Sequence, residues 1–367
     1  MTNHYLLQLL FALLLLPVFG TACNGQNQKL VGNTAEPTVN TICIGDTVTE
    51  IEGEVRGITQ DSKNNLWFAT NGNGVFKLDG NTITHFTEKH GLSSNFVWNI
   101  QENKEGKIWM EGRGVFSSFD GYEFTSIPVD ENAFQTMDYN YLNDELFAGH
   151  YYNGKSFVKI QLPYTSPIQN DANIRYHYDI YCTCKDKNGH LWIGTCTAGV
   201  CKYDGATYTW FDDQELGSPV RSIFEDKNGT IWVGNNGDGL FRYGTTDSTS
   251  EQKFINFSRE KKLHNYDFDK YPIGTAGMMS RIWTITDDKQ GNLWIGTIDN
   301  GVWMYDGTTV TNYTTKDGLG VDFIWIIFKD KNGDLWFGTE GFGVYILDAS
   351  TTLSLGRKRF EKFTVRK

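Results

Sequence analysis

The stretch Asp226-Lys227-Asn228-Gly229-Thr230-Ile231-Trp232 decides the fold, because it recurs along the chain. Related copies begin at Asp61, Asn103, Asp186, Asp288 and Asp330 and end on Trp67, Trp109, Trp192, Trp294 and Trp336. The gap between Trp109 and Trp192 is double length. It reads as holding a worn seventh copy, with Asn143-Asp144 as the turn and Phe147 in the tryptophan place. A fixed period of roughly 40 residues marks a repeat architecture in which one supersecondary unit is stacked on the next.

Each copy has the same internal order. A short apolar run such as Val220 to Glu225 leads into the Asp/Asn/Gly turn, and a run of the form Leu293 to Thr297 follows it. A Gly-rich hairpin then enters Gly301 to Gly307, and a polar-aromatic run such as Thr309 to Tyr313 closes the unit. Four antiparallel strands joined by tight turns at this period make one propeller blade. The chain therefore reads as all-β, a seven-bladed β-propeller of four-stranded antiparallel blades over residues 51–367, with a long insertion at about 244–281. In the signature, the Asp carboxylate can accept backbone N–H bonds inside the turn, Asn and Gly supply positive φ, and the Trp buries a large face between blades. These repeated residues are framework. Ligand contacts are to be sought elsewhere.

Composition agrees. There are 11 Trp, 18 Tyr, 24 Phe and 39 Gly against 7 Pro in 367 residues, the profile of a mostly β chain. The formal net charge of −11 would repel a polyphosphate backbone, so nucleic acid is not expected as a partner.

Tyr5 to Phe19 is almost wholly apolar and meets Gly20-Thr21-Ala22-Cys23. The run is short for a membrane span and right for a signal-peptide core. Small residues before Cys23 resemble a bacterial lipobox, although Gly20 stands where Leu is preferred and Met1 to His4 lack Lys or Arg. Residues 1–23 thus read as an export signal with Cys23 as a lipidation site. Residues 24–50 read as a tether, of which Thr41 to Ile51 could add a latch strand to the last blade. The expected location is the cell envelope, lipid-anchored at the outer membrane and facing the periplasm.

The repeats resemble the two-component regulator propeller repeats, which form periplasmic sensor regions of hybrid sensor kinases, notably in Bacteroidetes-type bacteria. The resemblance implies a sensor-like, ligand-binding propeller. The sequence holds one propeller's worth of repeats, so it reads as a free-standing relative.

Propellers commonly bind on the face that gathers the loops between second and third strands. From those hairpins come Arg113, Asn236, Asp238, Asp299 and Glu340 as candidates, with Arg281 just before an inner strand. One residue after the first framework position of the inner strands stand Arg56, Trp98, Tyr181, Arg221, Trp283 and Trp325. Arg and Trp together near a channel mouth could hold a sugar by stacking and bidentate hydrogen bonds. The insertion, with His264, Tyr266, Asp267, Asp269 and Tyr271, is expected to project from this face and cap the channel. The expected partner is a glycan fragment or an envelope protein.

No hydrolase elbow, nucleotide loop, zinc-protease helix or EF-hand loop is present, the seven histidines fall in no metal spacing, and no cofactor or metal is expected. Cys182, Cys184, Cys196 and Cys201 fall in one blade. A Cys182–Cys196 disulfide suits an oxidising compartment, with free buried thiols or a four-Cys zinc site as alternatives. A propeller lyase of the streptogramin-lyase or polysaccharide-lyase kind is the other functional reading, for which Arg221, Arg281, His177, Asp179 or Glu340 could serve. A passive envelope scaffold is a third.

Overall fold

The computed structural model describes residues 44–136, 146–163, 179–212, 216–217, 219–245, 252–264, 275, 277–352 and 358–365. Cys23, His177, Tyr266, Asp267, Asp269 and Tyr271 lie outside them. Among the described residues no helix is long and apolar enough to cross a membrane.

The signature turn is organised by its aspartate. In the copy at Asp288, Oδ1 accepts from the backbone N–H groups of Gln290 (3.0 Å) and Asn292 (2.9 Å). Oδ2 accepts from the Asn292 amide (2.8 Å) and from the Trp294 indole N–H (2.9 Å). The indole bond recurs from Trp67, Trp192, Trp232 and Trp336 to their own aspartates at 2.8 to 3.1 Å. It explains why Asp and Trp sit six residues apart. A buried indole N–H needs an acceptor, and the turn delivers one.

Each repeat forms one sheet, and the sheets stand in sequence order. The blade at Trp294 runs Ile282–Asp287, Leu293–Thr297, Val302–Tyr305 and Val310–Tyr313 from inside out, all antiparallel. The second strand is buried throughout, as expected of a strand covered on both faces. Its Trp turns towards the following blade. Trp67 meets Phe119 at 5.6 Å between ring centroids, Trp109 meets Phe157 at 5.1 Å, Trp192 meets Tyr243 at 5.1 Å and Trp294 meets Phe337 at 5.9 Å. Trp336 of the seventh blade meets Phe68 of the first at 5.7 Å, so the ring closes with the contact used between other blades.

A second set of joints lies at the signature turns. Lys227 donates to the Gln290 carbonyl of the next turn (2.8 Å), Lys289 to Asp334 (3.1 Å) and Lys331 to the Asp61 carbonyl (2.6 Å), again crossing from the seventh blade to the first. The turn glycine leaves room for this arm. A Cβ on Gly291, at φ +81°, would stand 2.4 Å from Lys227 Nζ.

Four expectations need correction. Among the described residues the third blade runs, from inside out, Leu146–Phe147, His150–Tyr152, Phe157–Gln161 and Val129–Thr136, and its outermost pair is parallel. Within it Phe147 does not take the tryptophan place. It packs backwards on Trp109 and Phe116, as Phe68 does on Trp336, while Leu146 packs on the side of the following blade. A one-residue slip reverses the face a strand side chain occupies.

The latch also differs. Asp46–Val48 pairs with the outer strand Thr82–Phe86 of the first blade and makes that sheet five-stranded. The residues after it reach the last blade. Glu50 bridges Thr364, Gly53 bridges Phe342, and Lys362 pairs with Glu50 at 2.7 Å. Finally, part of the expected insertion is framework. Gln252–Asn256 is the fourth strand of the fifth blade and Phe257–Glu260 is a helical turn behind it. His264 is buried there, with Nε2 2.6 Å from the Gly237 carbonyl oxygen.

Candidate ligand site in the central channel

Six inner strands share one irregularity. The ladder with the second strand skips a residue between Val55 and Gly57, Val97 and Asn99, Ile180 and Cys182, Val220 and Ser222, Ile282 and Thr284, and Ile324 and Ile326. The skipped residues are Arg56, Trp98, Tyr181, Arg221, Trp283 and Trp325. A bulge leaves its extra residue unpaired and re-aims the side chain. Here all six are aimed into one cavity of about 730 Å³ to which all seven blades contribute.

These side chains touch one another around the wall. The Arg56 guanidinium lies 4.0 Å from the Trp325 ring centroid, and Trp325 meets Trp283 edge-on at 4.9 Å. Arg221 lies 4.3 Å from the Trp283 centroid and 4.0 Å from that of Tyr181. Hydrogen bonds fix both ends of this chain. The Tyr181 hydroxyl donates to Cys196 Sγ at 3.1 Å. On the other side Arg56 pairs with Glu54, Glu54 accepts from Asn71 at 3.0 Å, and Asn71 accepts from the Trp98 indole at 3.0 Å. The Trp325 indole donates to Glu340 at 2.6 Å. Trp98 and Trp283 are half-buried, Trp325 is 9% exposed and Tyr181 38% exposed, so the belt combines fixed rings with accessible ones.

The belt is open at the third blade, where the wall is polar. Lys159 pairs with Asp179 there. His150 Nδ1 lies 2.8 Å from the Ala148 carbonyl oxygen, and burial holds its ring below the usual histidine range. Glu111 accepts from the Asn99 amide at 2.7 Å, and burial pushes its carboxyl up to about 7. Glu111, Lys159 and His150 were missed from sequence. Glu111 belongs to the hairpin that supplied Arg113, but this hairpin is tighter than the others, so Glu111 falls within the strand Ile108–Gly112 opposite Asn99. Lys159 and His150 come from the worn repeat, whose register the sequence misplaced.

The hairpin candidates do not join the cavity wall. The Arg113 guanidinium lies 5.6 Å from the Phe96 ring centroid. Arg281 donates to Asn236 at 3.2 Å. Asp238 is half-buried near Arg259, with burial raising its pKa. Both carboxylate oxygens of Asp299 are buried. Glu340 reaches the belt only through Trp325.

The expected Cys182–Cys196 disulfide is not formed. Both are free thiols, as are Cys184 and Cys201. The bulge at Tyr181 gives the reason. Tyr181 turns inward to meet Cys196, whereas Cys182 Sγ points to the fifth blade, 3.9 Å from the Val220 carbonyl oxygen. The metal alternative also finds no support, since no group of three His, Cys, Asp or Glu among the described residues could hold an ion.

Residues 49–72, 177–197, 214–237, 279–299 and 318–341 match the family described as two component regulator propeller. Those five segments are similar to two component regulator propeller repeats. No curated protein matches it. Two crystal structures of the extracellular domain of BT4673 from B. thetaiotaomicron, described as a one component system and as a hybrid two component system, align with TM-scores of 0.55 and 0.53. Identity is 19% and 18%, over 82% of this chain and 40% and 39% of theirs. At such identity the likeness is one of fold, and the chain spans about two-fifths of the length of those domains. A streptogramin B lyase structure aligns at a TM-score of 0.41 and 15% identity over 88% of each chain, too loosely to bear on chemistry. The repeats of this chain build a propeller whose bulged inner-strand residues line one central cavity.

Proposed function

We propose that this chain is an exported, non-catalytic, sensor-like propeller that recognises a glycan fragment at the mouth of its central channel. The observation that carries the reading is the belt of bulged Arg, Trp and Tyr residues around the cavity. Aromatic faces stack on the C–H faces of a sugar ring, and planar guanidinium groups donate paired hydrogen bonds. The cavity volume of about 730 Å³ falls within the range of small-molecule sites. The repeat family supports a sensor-like role, and the apolar segment Tyr5 to Phe19 before Cys23 supports export with lipid anchoring.

Two of the cavity's would-be elimination bases, Tyr181 and His150, are ill suited to that role. Burial pushes the Tyr181 hydroxyl up to about 12, and it is engaged with Cys196. The His150 ring is held by the Ala148 carbonyl. A general base works best with a pKa near the operating pH and within reach of the proton it removes.

The test is titration calorimetry of the purified protein against a panel of neutral and acidic oligosaccharides, beside the W98A and W283A variants. Saturable binding that drops at least tenfold in either variant supports the site. Binding unchanged in both variants, or capture of an envelope protein with no glycan bound, overturns it.

A further inference from the structure

The charges of the cavity wall do not cancel, and this points to the ligand. Among the described residues the charged or titratable groups lining the cavity are Arg56, Glu111, His150, Lys159, Asp179, Tyr181, Cys182 and Arg221. Arg56 is balanced by Glu54, and Lys159 and Asp179 balance each other. Burial lowers the His150 pKa, which favours the neutral ring, and brings the Glu111 carboxyl to about 7, so it is largely in its acid form in mildly acidic solution. Arg221 is left over.

Its surroundings confirm the imbalance. Arg221 sits between the rings of Tyr181 and Trp283, and its Nε is buried with no hydrogen-bond partner. The groups that act on its charge are Tyr181, Cys196 and Cys182, none of them a carboxylate. Tyr181 and Cys182 are pushed up to about 12 by burial and are neutral at pH 7. A guanidinium does not lose its proton in a protein, so burial leaves a fixed positive charge short of solvent, with the neutral Tyr181 as a hydrogen-bond partner and no counter-ion among the described residues. Such a charge is costly unless something pairs with it. In a chain of net charge −11, rich in carboxylates, none among the described residues has been placed beside it.

We propose that the ligand of this cavity carries a carboxylate or equivalent oxyanion that docks on Arg221, with a sugar ring stacked on the adjoining Trp283. The proposal rests on the reading of the cavity as a glycan site and narrows it to acidic glycans. Arg221 lies on the cavity wall, and its guanidinium has a planar edge of N–H donors. A planar carboxylate matches that edge with two parallel N–H···O bonds.

The experiment uses three sets of probes of similar length: oligogalacturonides, neutral galacto-oligosaccharides and sulfated galactan oligosaccharides. Each is titrated into the wild-type protein, R221K, R221Q and W283A, and the melting temperature of every variant is measured first to show that it is folded. The expected result is wild-type binding of an acidic set at least tenfold tighter than of the neutral set. R221Q should lose that preference and R221K should keep part of it. The uronate and sulfate arms separate the two sources of oxyanion. Should R221Q misfold, R221K carries the test: it keeps the charge but not the fork, so its carboxylate preference should shrink and its general salt dependence remain. If wild-type protein binds neutral and acidic sets equally, or if R221Q keeps the preference, the acidic inference falls while the glycan site stands through W283A. If no set binds, both fall.

Discussion

The guanidinium of Arg56 lies 4.0 Å from the centroid of the Trp325 ring, and this contact joins the first inner strand of the propeller to the last. Arg56 is also held by Glu54, and Trp325 donates its indole proton to Glu340. Both partners are therefore oriented before any ligand arrives. Trp325→Phe keeps a ring under Arg56 but removes the bond to Glu340, leaving a half-buried carboxylate with one donor fewer. We expect a loss of about 1–2 kcal/mol in urea denaturation. An unchanged midpoint would show that the indole bond contributes nothing.

The signature aspartates should be the most sensitive polar positions of the framework. Asp288 is 6% exposed and accepts four hydrogen bonds, one from the fully buried Trp294. Asp288→Ala leaves several donors unsatisfied and should cost about 3 kcal/mol, whereas Asp288→Asn, which keeps one acceptor oxygen, should cost less. Chemical denaturation of the two variants side by side ranks them. Equal losses would mean that the turn depends on side-chain shape and not on acceptance.

Glu111 gives the stability a pH dependence of defined sign. Its carboxyl is raised from 4.5 to about 7, with burial as the cause and the Asn99 amide opposing it. Between those values the unfolded chain has released the proton and the folded chain still holds it. The Glu111 contribution therefore falls as pH rises through this window, by up to about 1.4 kcal/mol per pH unit, and levels off above about 7. Glu111→Gln should remove that slope from urea midpoints taken across the window. A variant with the wild-type slope would assign the titration to another group.

Cys182 and Cys196 should both alkylate in unfolded, unreduced protein. In the native state Cys182, pushed up to about 12 by burial, should react far more slowly than a free cysteine. Mass spectrometry of the labelled peptides, with and without reductant, reads this directly. A Cys182–Cys196 cross-linked peptide from unreduced protein would contradict the geometry at Tyr181.

What could be read from the sequence follows from where repetition operates. The turn aspartates, the second-strand tryptophans and the strand limits Val220–Glu225 and Leu293–Thr297 repeat, and the structure has them where the repeat put them. The six belt residues were found because they occupy one position of that repeat. Their common cause, a bulge in the first pairing, leaves no mark of its own in the residues. Elsewhere repetition failed. Phe147 sits one place off because a worn turn gives no register, and Glu111 was overlooked because its hairpin is tighter than its siblings. The cysteine pairing was misjudged because of that same hidden bulge. Without the bulge, Tyr181 and Cys182 exchange the faces on which they stand.

The forward reach of the turn lysines has a consequence for how the ring is made. Lys331 of the seventh blade grips Asp61 of the first as Lys227 and Lys289 grip the turns after theirs. Together with the Trp336–Phe68 contact, this makes the closing joint a copy of the internal ones. In these respects the ring has no weak sector at its ends. The two chain termini could be moved to another inter-blade loop, giving a circular permutant that keeps every such grip.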